Sequence, residues 1–287
     1  MRNSQTLLAF RQNLHLLHCP VCKGQMFLYE NQLKCINGHS FDLSGEGYIN
    51  LVRHTVKTNY SRQLFRSRKN ITQKGFFKPI TDLLGLEIAK RKNNCKSLTL
   101  LDAGCGEGTL FHQLKEQLSE NNIETNAIGL DISKEGIRIA SRDYKDVLWM
   151  VANLADLPIT DNSTDIIINL LAPANYSQFQ RVLAPGGILI KAVPGKEYLK
   201  ELRTLFSVGK RAPENPVPQA LSLFENYRSC VESYHIMKTV KIEEENVQDL
   251  AEMTPLLWNL KNKQEKMHEI KEVTLDMHLL FGYKNGK

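Results

Sequence analysis

The run Leu98-Thr99-Leu100-Leu101-Asp102-Ala103-Gly104-Cys105-Gly106-Glu107-Gly108 constrains this chain more than any other. A short apolar strand passes straight into three alternate glycines, and Thr109 to Leu118 then follows with the apolar spacing of an amphipathic helix. Glycine accepts the left-handed backbone of a tight strand-to-helix turn, and without a Cβ it lets a ligand approach the main chain. In doubly wound α/β sheets, nucleotides bind at such a turn, beyond the carboxyl end of the first strand. The next segments repeat the alternation. A strand ends in Gly129-Leu130-Asp131, a helix runs from Ser133 to about Tyr144, and a strand spans Val147 to Ala152. Asp165 to Leu170 and Gly187 to Lys191 read as two further buried strands. This succession predicts a mostly parallel sheet with helices on both faces. The terminal run Glu272 to Tyr283 alternates more strictly and is expected to pair at the sheet edge.

The glycine spacing is GxGxG, not the GxGxxG of dinucleotide folds. Asp131 ends the second strand, where a carboxylate can accept hydrogen bonds from both hydroxyls of a ribose. Those two features suit NAD and an adenosyl cofactor alike. Asn153-Leu154-Ala155-Asp156-Leu157-Pro158 follows the third strand and offers a polar contact to an adenine edge. Arg181-Val182-Leu183-Ala184-Pro185-Gly186-Gly187 adds a helix end, a Pro-Gly-Gly turn and a strand start. In order and spacing, LDAGCGEG, GLDIS, NLADLP, DIIINL and RVLAPGGILI resemble the class I methyltransferases over about 98–193. The resemblance implies a Rossmann-like, seven-stranded, mostly parallel sheet and S-adenosyl-L-methionine as cofactor. The alternative is a doubly wound fold that binds another nucleotide.

A second constellation precedes this one. Cys19-Pro-Val-Cys22 is followed, twelve residues on, by Cys35-Ile-Asn-Gly-His39. Three thiolates and an imidazole at this spacing, with Pro20, Gly24 and Asn37-Gly38 to turn the chain, fit one tetrahedral ion. Ligand softness favours zinc over magnesium or calcium. The intervening Met26 to Tyr29 and Gln32 to Lys34 read as a hairpin. The competing reading is unrelated cysteines or a redox CxxC, but a redox pair calls for no second ligand pair and normally opens a helix. With Cys19, Cys22, Cys35 and His39 as ligands, all four positions are filled by protein, so the metal is structural. Removing it is expected to unfold residues near 15–45 and leave the sheet largely intact. Cys95, Cys105 and Cys230 are scattered and read as buried free thiols.

Charge separates these two parts. The formal charge is +6, yet 47–81 contains eight Lys or Arg and no acid: Arg53, Lys57, Arg62, Arg66, Arg68, Lys69, Lys74 and Lys78. The remaining residues carry about −2 by the same count. Tyr60, Phe65, Phe76 and Phe77 interleave with this run, a mixture that suits phosphate neutralisation with base stacking. A solvated linker or basic helix face is the plainer reading. The expected organisation is a zinc-binding module over 1–52, a basic connector over 53–81 and a methyltransferase domain over 82–287. At 42% hydrophobic and 24% charged, the 287 residues can bury a sizeable core. No apolar run approaches the ~20 residues of a membrane span. The split apolar pieces of the N-terminus are a poor secretory signal, so a cytoplasmic protein is expected.

Joined in one chain, these parts resemble the ribosomal RNA large subunit methyltransferase A family. The resemblance spans nearly the whole sequence and rests on Cys19-Pro-Val-Cys22, Cys35-Ile-Asn-Gly-His39-Ser40-Phe41-Asp42, Glu46-Gly47-Tyr48-Ile49-Asn50-Leu51, Gly75-Phe76-Phe77-Lys78-Pro79-Ile80, LDAGCGEG, Leu171-Ala172-Pro173 and Val193 to Leu199. It implies methyl transfer to N1 of a guanine in a domain II hairpin of 23S rRNA, near the peptide exit tunnel. It further implies, in one subgroup, an effect on tylosin-type macrolides. The family's cofactor contacts fall on Phe77, the Gly106-Glu107 pair and Tyr198. Phe77 departs from the more typical tyrosine, which leaves stacking without a hydroxyl, and some members carry histidine at Tyr198. Gly104, Asp131, Asn153 and Leu154 complete the expected cofactor set. The family includes dimers, and the sequence carries no dimer signature of its own.

Guanine N1 is paired within a helix, so the base must come from a loop or be flipped. Asn169 and the backbone of Leu171, at the end of the fourth strand, are candidate guanine-edge contacts; strand-end capping is the alternative for Asn169. No general base is identified. His15, His18, His54 and His112 read as surface or packing residues. Residues 200–215 read as a helix followed by a Pro-rich loop over the site, and Glu243-Glu244-Glu245 as a solvated turn. Two other functions compete: a methyltransferase acting on a small, quinone-type molecule, and a zinc-dependent RNA-binding protein with an inactive cofactor fold.

Overall fold

The computed structural model describes residues 4–53, 58–92, 95, 97–208, 216–227, 229–258, 260 and 264–284. Helix α1 (Ser4–Asn13) leads into a three-stranded antiparallel unit, β1 (Met26–Tyr29), β2 (Gln32–Cys35) and β3 (Ser40–Asp42). Next come β4 (Tyr48–Asn50), α2 (Arg62–Gln73) and α3 (Lys78–Arg91). The Ser61 hydroxyl caps α2 by accepting from Leu64 N at 3.1 Å, and Pro79 sits in the first turn of α3, where no N–H is needed. The alternating part is β5 (Ser97–Ala103), α4 (Thr109–Glu120), β6 (Glu124–Asp131), α5 (Lys134–Asp143), β7 (Leu148–Val151), β8 (Thr164–Leu170), α6 (Tyr176–Val182) and β9 (Leu183–Pro194). It is followed by α7 (Lys200–Leu205), α8 (Val217–Glu225), β10 (Ser229–Lys241), α9 (Val247–Met253), α10 (Gln264–Met267) and β11 (Glu272–Tyr283).

The main sheet has the order β10-β11-β9-β8-β5-β6-β7-β4, parallel from β9 to β4 and antiparallel at β11 and β10. Seven of these strands give the expected Rossmann-like methyltransferase arrangement. The eighth corrects the strand count. Tyr48↔Trp149, Ile49↔Met150 and Asn50↔Val151 pair in parallel, so β4 covers what would otherwise be an open edge on β7.

A second correction concerns β11, which lies inside the sheet between β9 and β10 rather than at its edge. Its alternation comes from buried polar groups that have partners. Thr274 donates from Oγ1 to Glu201 at 2.6 Å, and the Asp276 carboxylate accepts from Glu197 N at 2.8 Å. The edge is β10, whose mixed polar pattern gave no clear strand signal.

Two cores cover the two faces of the sheet. One gathers Phe111, Trp149, Ile166, Leu275 and Met277. The other is continuous from the N-terminal unit into the sheet, with Leu17, Cys19, Met26, Leu33, Leu43 and Ile49 packed alongside Leu101, Ile128, Leu148 and Ile159. The N-terminal unit is also tied by backbone bonds from His18 N to Pro158 O (3.2 Å) and Thr160 N to Leu16 O (2.8 Å). Arg138 grips both oxygens of Glu46, at 2.8 and 3.0 Å, and so clamps the turn before β4 onto α5. No helix among the described residues is long and apolar enough to cross a membrane.

Candidate active site and metal centre

The four expected ligands converge. Cys19 Sγ, Cys22 Sγ, Cys35 Sγ and a His39 ring nitrogen lie within 4.8 Å of one another. Cys22 and Cys35 sulfurs are 3.7 Å apart, and His39 Nδ1 is 3.2 Å from Cys35 Sγ. A tetrahedral ion with Zn–S bonds of ~2.3 Å requires sulfurs about 3.8 Å apart. Donors surround the sulfurs: Val21 N reaches Cys19 at 3.4 Å, Asn37 Nδ2 reaches Cys22 at 3.3 Å, and His39 N reaches Cys35 at 3.3 Å. The Asn37 bond, with the Gly24 N–H, draws the Cys22 thiol down to about 6, whereas burial raises Cys19. The donor set, spacing and thiolate-stabilising bonds fit zinc.

At the carboxyl ends of β5, β6 and β8, a cavity of about 370 Å³ is lined by Phe77, Gly104, Asp131, Asn153, Leu154, Leu171 and Tyr198. Seven expected residues thus meet around one space, large enough for a small-molecule cofactor. A neighbouring annex of about 50 Å³ adds Glu107 and Asp102, sharing Phe77, Gly104 and Leu171 with the cavity. Gly106 shapes the turn: its N–H donates to Asp131 Oδ2 at 3.0 Å, while Ser133 N donates to Oδ1 at 2.7 Å. These bonds fix the Asp131 carboxylate and leave each oxygen a lone pair for a ribose hydroxyl. Gly104 has φ +95°, and a Cβ there would lie 2.5 Å from the Ala172 methyl, so only glycine leaves the cradle open. The loop fits an adenosyl cofactor.

Burial pushes Asp102, Glu107 and Asp131 upward, and for Asp102 the two neighbouring carboxylates add to the effect. Burial likewise pushes the Tyr198 hydroxyl to about 12, so it stays protonated and can donate.

Asn169 does not face the cavity. It is fully buried, donates Nδ2 to Ala103 O (2.6 Å) and Pro173 O (3.1 Å), and accepts on Oδ1 from Lys191 Nζ (2.6 Å). Its amide is committed to the fold, so it takes the capping role and not a guanine contact. Lys191 Nζ also donates to Ala172 O. Asn169 and Lys191 therefore hold the 171–173 turn from behind. Leu171 itself is 42% exposed with φ +52°, a left-handed backbone held at the cavity rim.

Several site residues escaped the sequence reading. Tyr60, Phe65 and Arg68, around α2, form one wall, and Met253, Thr254 and Pro255, at and just beyond the end of α9, form another. The basic, aromatic composition of 47–81 was the available signal for the first group; nothing marked the second. Of that stretch, Lys69, Lys74 and Lys78 pair internally with Asp143, Glu245 and Asp82, while Arg62 and Arg66 are exposed; Lys57 lies outside the described residues. Glu245 sits in a short 3-10 turn and is exposed, as expected of that acidic run. His15, His18 and His112 do not line the cavity, and His112 stacks on Tyr144 at 4.2 Å; His54 is outside the described residues. Cys95 is exposed and Cys105 half-buried, not both buried as expected; nothing is described of the Cys230 side chain. Helix α7 begins the segment read as a helix and loop, and 209–215 lie outside the described residues.

Comparison with known proteins agrees with this geometry. Residues 94–274 match the family described as "Methyltransferase domain", and residues 17–58 match "RlmA, N-terminal". Over 277 residues the chain is 33% identical to "Putative 23S rRNA (guanine-N(1)-)-methyltransferase YxjB" of Bacillus subtilis (strain 168), covering 94% of this chain and 97% of that one. The chain belongs to the ribosomal RNA large subunit methyltransferase A family. Within RlmA relatives, it is also 26% identical over 268 residues to the "23S rRNA (guanine(748)-N(1))-methyltransferase" of Streptomyces fradiae, covering 91% of this chain and 94% of that one. As an RlmA member it is an S-adenosylmethionine-dependent methyltransferase with an N-terminal zinc ribbon.

Proposed function

We propose that this enzyme transfers a methyl group from S-adenosyl-L-methionine to N1 of a guanine in 23S rRNA, in a hairpin near the peptide exit tunnel. The observation that carries this reading is the single cavity in which the glycine loop and Asp131 meet the aromatic, basic wall of α2. When bound, the sulfonium cofactor supplies an already activated methyl group. The protein's task is then to bind, orient and exclude water. In this reading Gly104, Gly106 and Glu107 cradle the cofactor, Asp131 accepts from its ribose, Asn153 and Leu154 meet its adenine, and Phe77 and Tyr198 enclose it. Cys19, Cys22, Cys35 and His39 hold the structural zinc.

The acceptor guanine enters past Tyr60, which is 38% exposed and packs edge-on to Trp258 with centroids 5.6 Å apart. An exposed aromatic face is suited to stack a flipped base. The 171–173 turn, braced by Asn169 and Lys191, lines the same cavity and offers backbone groups to the guanine edge. The exposed Arg62 and Arg66 lie on α2, just after Tyr60, and would neutralise flanking phosphates. An enzyme with this substrate works in the cytoplasm. In this division, 1–52 is the zinc module and 82–287 the methyltransferase domain, and the connector 53–81 becomes a wall of the site.

The test is transfer of labelled methyl from S-adenosylmethionine to a large-subunit RNA fragment by purified protein, at 50 and 200 mM salt. Label in the RNA that declines as salt rises is expected. Label passing only to a small quinone-type acceptor would replace the reading.

A further inference from the structure

Within the cavity and its annex, one side chain has a charge opposite to its surroundings. Asp131 lines the main cavity, and Asp102 and Glu107 line the annex. Arg68 is the cation common to both, and among the described residues no other Lys or Arg lines either space. Its guanidinium projects from α2 over the glycine loop. Nη1 would stand 3.6 Å from a Cβ on Gly106, and Cζ lies 6.0 Å from the centroid of the Phe65 ring.

Arg68 is poorly occupied by the fold. Its described hydrogen bond runs from Nη2 to Met253 O at 3.5 Å, a long contact for a charged donor. Among the described residues no carboxylate forms an ion pair with it, unlike Arg91, Arg138 and Arg181, which are each engaged by acids. A planar fork with five donors therefore faces a ligand space with most of its hydrogen-bonding capacity unused.

The cofactor's charges match this arrangement. S-Adenosylmethionine carries two positive groups, the sulfonium and the α-ammonium, and one negative group, the α-carboxylate. Asp102, Glu107 and one guanidinium are the complement of that pattern, and the annex holding these two acids shares Gly104 with the cavity but not Asn153 or Leu154. We propose that Arg68 receives the α-carboxylate of the cofactor's methionine end and so selects a donor with an intact amino acid. This rests on the reading of the site as an S-adenosylmethionine site and adds a ligand that the basic run had suggested for RNA. Two parallel N–H···O bonds from the fork fix the direction of the methionine chain, and with it the direction in which the methyl group points.

Calorimetric titration of the full, zinc-loaded protein with S-adenosylmethionine and with its decarboxylated analogue tests the assignment. The two ligands differ at the carboxylate alone. Wild type is expected to bind the intact cofactor about 10- to 100-fold more tightly, the range of a charge-assisted pair. Arg68→Gln should lose that factor for S-adenosylmethionine and bind the analogue within about twofold of wild type. Arg68→Lys, a point charge without the fork, should retain part of the preference. Equal weakening of both ligands in Arg68→Gln would make Arg68 a packing residue and overturn the proposal. Unchanged binding of both would assign its charge elsewhere, such as to RNA phosphate, and would also overturn it. Binding of neither ligand by wild type is a distinct outcome that removes the underlying reading of the site.

Discussion

Stripping the zinc should melt one edge of the main sheet together with the ribbon, because the two share a core. Leu16, Leu17, Met26, Leu33, Leu43 and Ile49 are each at most 4% exposed and pack in the cluster that contains Leu101, Ile128 and Leu148. At about 1.5–3 kcal/mol per buried side chain, these six contribute on the order of 9–18 kcal/mol, an upper bound. That is as large as the ~5–15 kcal/mol stability of a whole domain. The ribbon cannot come apart without exposing them, and the loss of β4 would leave the outer edge of β7 unpaired. The chain has two tryptophans, so a Trp258→Phe background makes Trp149 the sole emitter. Trp149 is fully buried on β7, pairs with Tyr48 and donates Nε1 to Tyr144 O at 2.7 Å. Chelation should red-shift its emission and lower the melting temperature of the sheet in step with metal loss. Loss of structure confined to residues near 15–45, with Trp149 emission and β7 hydrogen exchange unchanged, would refute the shared-core argument and restore two independent modules.

Three further outcomes follow from the site and its frame. Asp131→Asn cannot accept from Gly106 N, Ser133 N and a ribose together, so calorimetry should find S-adenosylmethionine about 10- to 100-fold weaker; an affinity within threefold of wild type contradicts the assignment. Gly104→Ala places a methyl against Ala172 at a φ of +95°, which should abolish cofactor binding while circular dichroism still reports the fold; retained affinity would show that the loop does not cradle the ligand. Burial raises the Glu87 pKa, but bonds from Arg91, Lys90 and Tyr234 more than offset this and hold it at about 2. Its stabilisation is present above the unfolded value near 4.5 and is lost as pH falls toward 2, amounting to about 3 kcal/mol. Acid titration of Glu87→Gln should therefore show a flatter loss of stability across that window than wild type, and identical curves would count against the ion-pair account.

What could be read from sequence alone was whatever depends on neighbours along the chain. The glycine turn, the strand-end Asp131 and the four metal ligands are local spacings, and they converge as spacing required. What could not be read depends on distant partners. The polar alternation of β11 suggested an edge because Asp276 and Thr274 gave no hint that Glu197 and Glu201 would satisfy them inside the sheet. Asn169 could be a ligand or a cap until Lys191 and Pro173 were seen to take up its amide. Met253 to Pro255 carry no motif, and only the packing of α9 against α2 brings them to the cavity. Arg68 was legible as charge in a basic run, but its direction into the cavity was not. The eighth strand was hidden for a related reason: three residues after a metal ribbon have too little pattern to announce a partner in β7.

Primer extension across the tunnel-proximal hairpins of 23S rRNA, from cells with and without this protein, reads the methylation directly. A methyl on guanine N1 removes the Watson–Crick proton and arrests reverse transcriptase. An arrest at one guanine is expected, present with the enzyme, absent without it, and lost in an Asp131→Asn strain. Identical extension profiles in all three would contradict it.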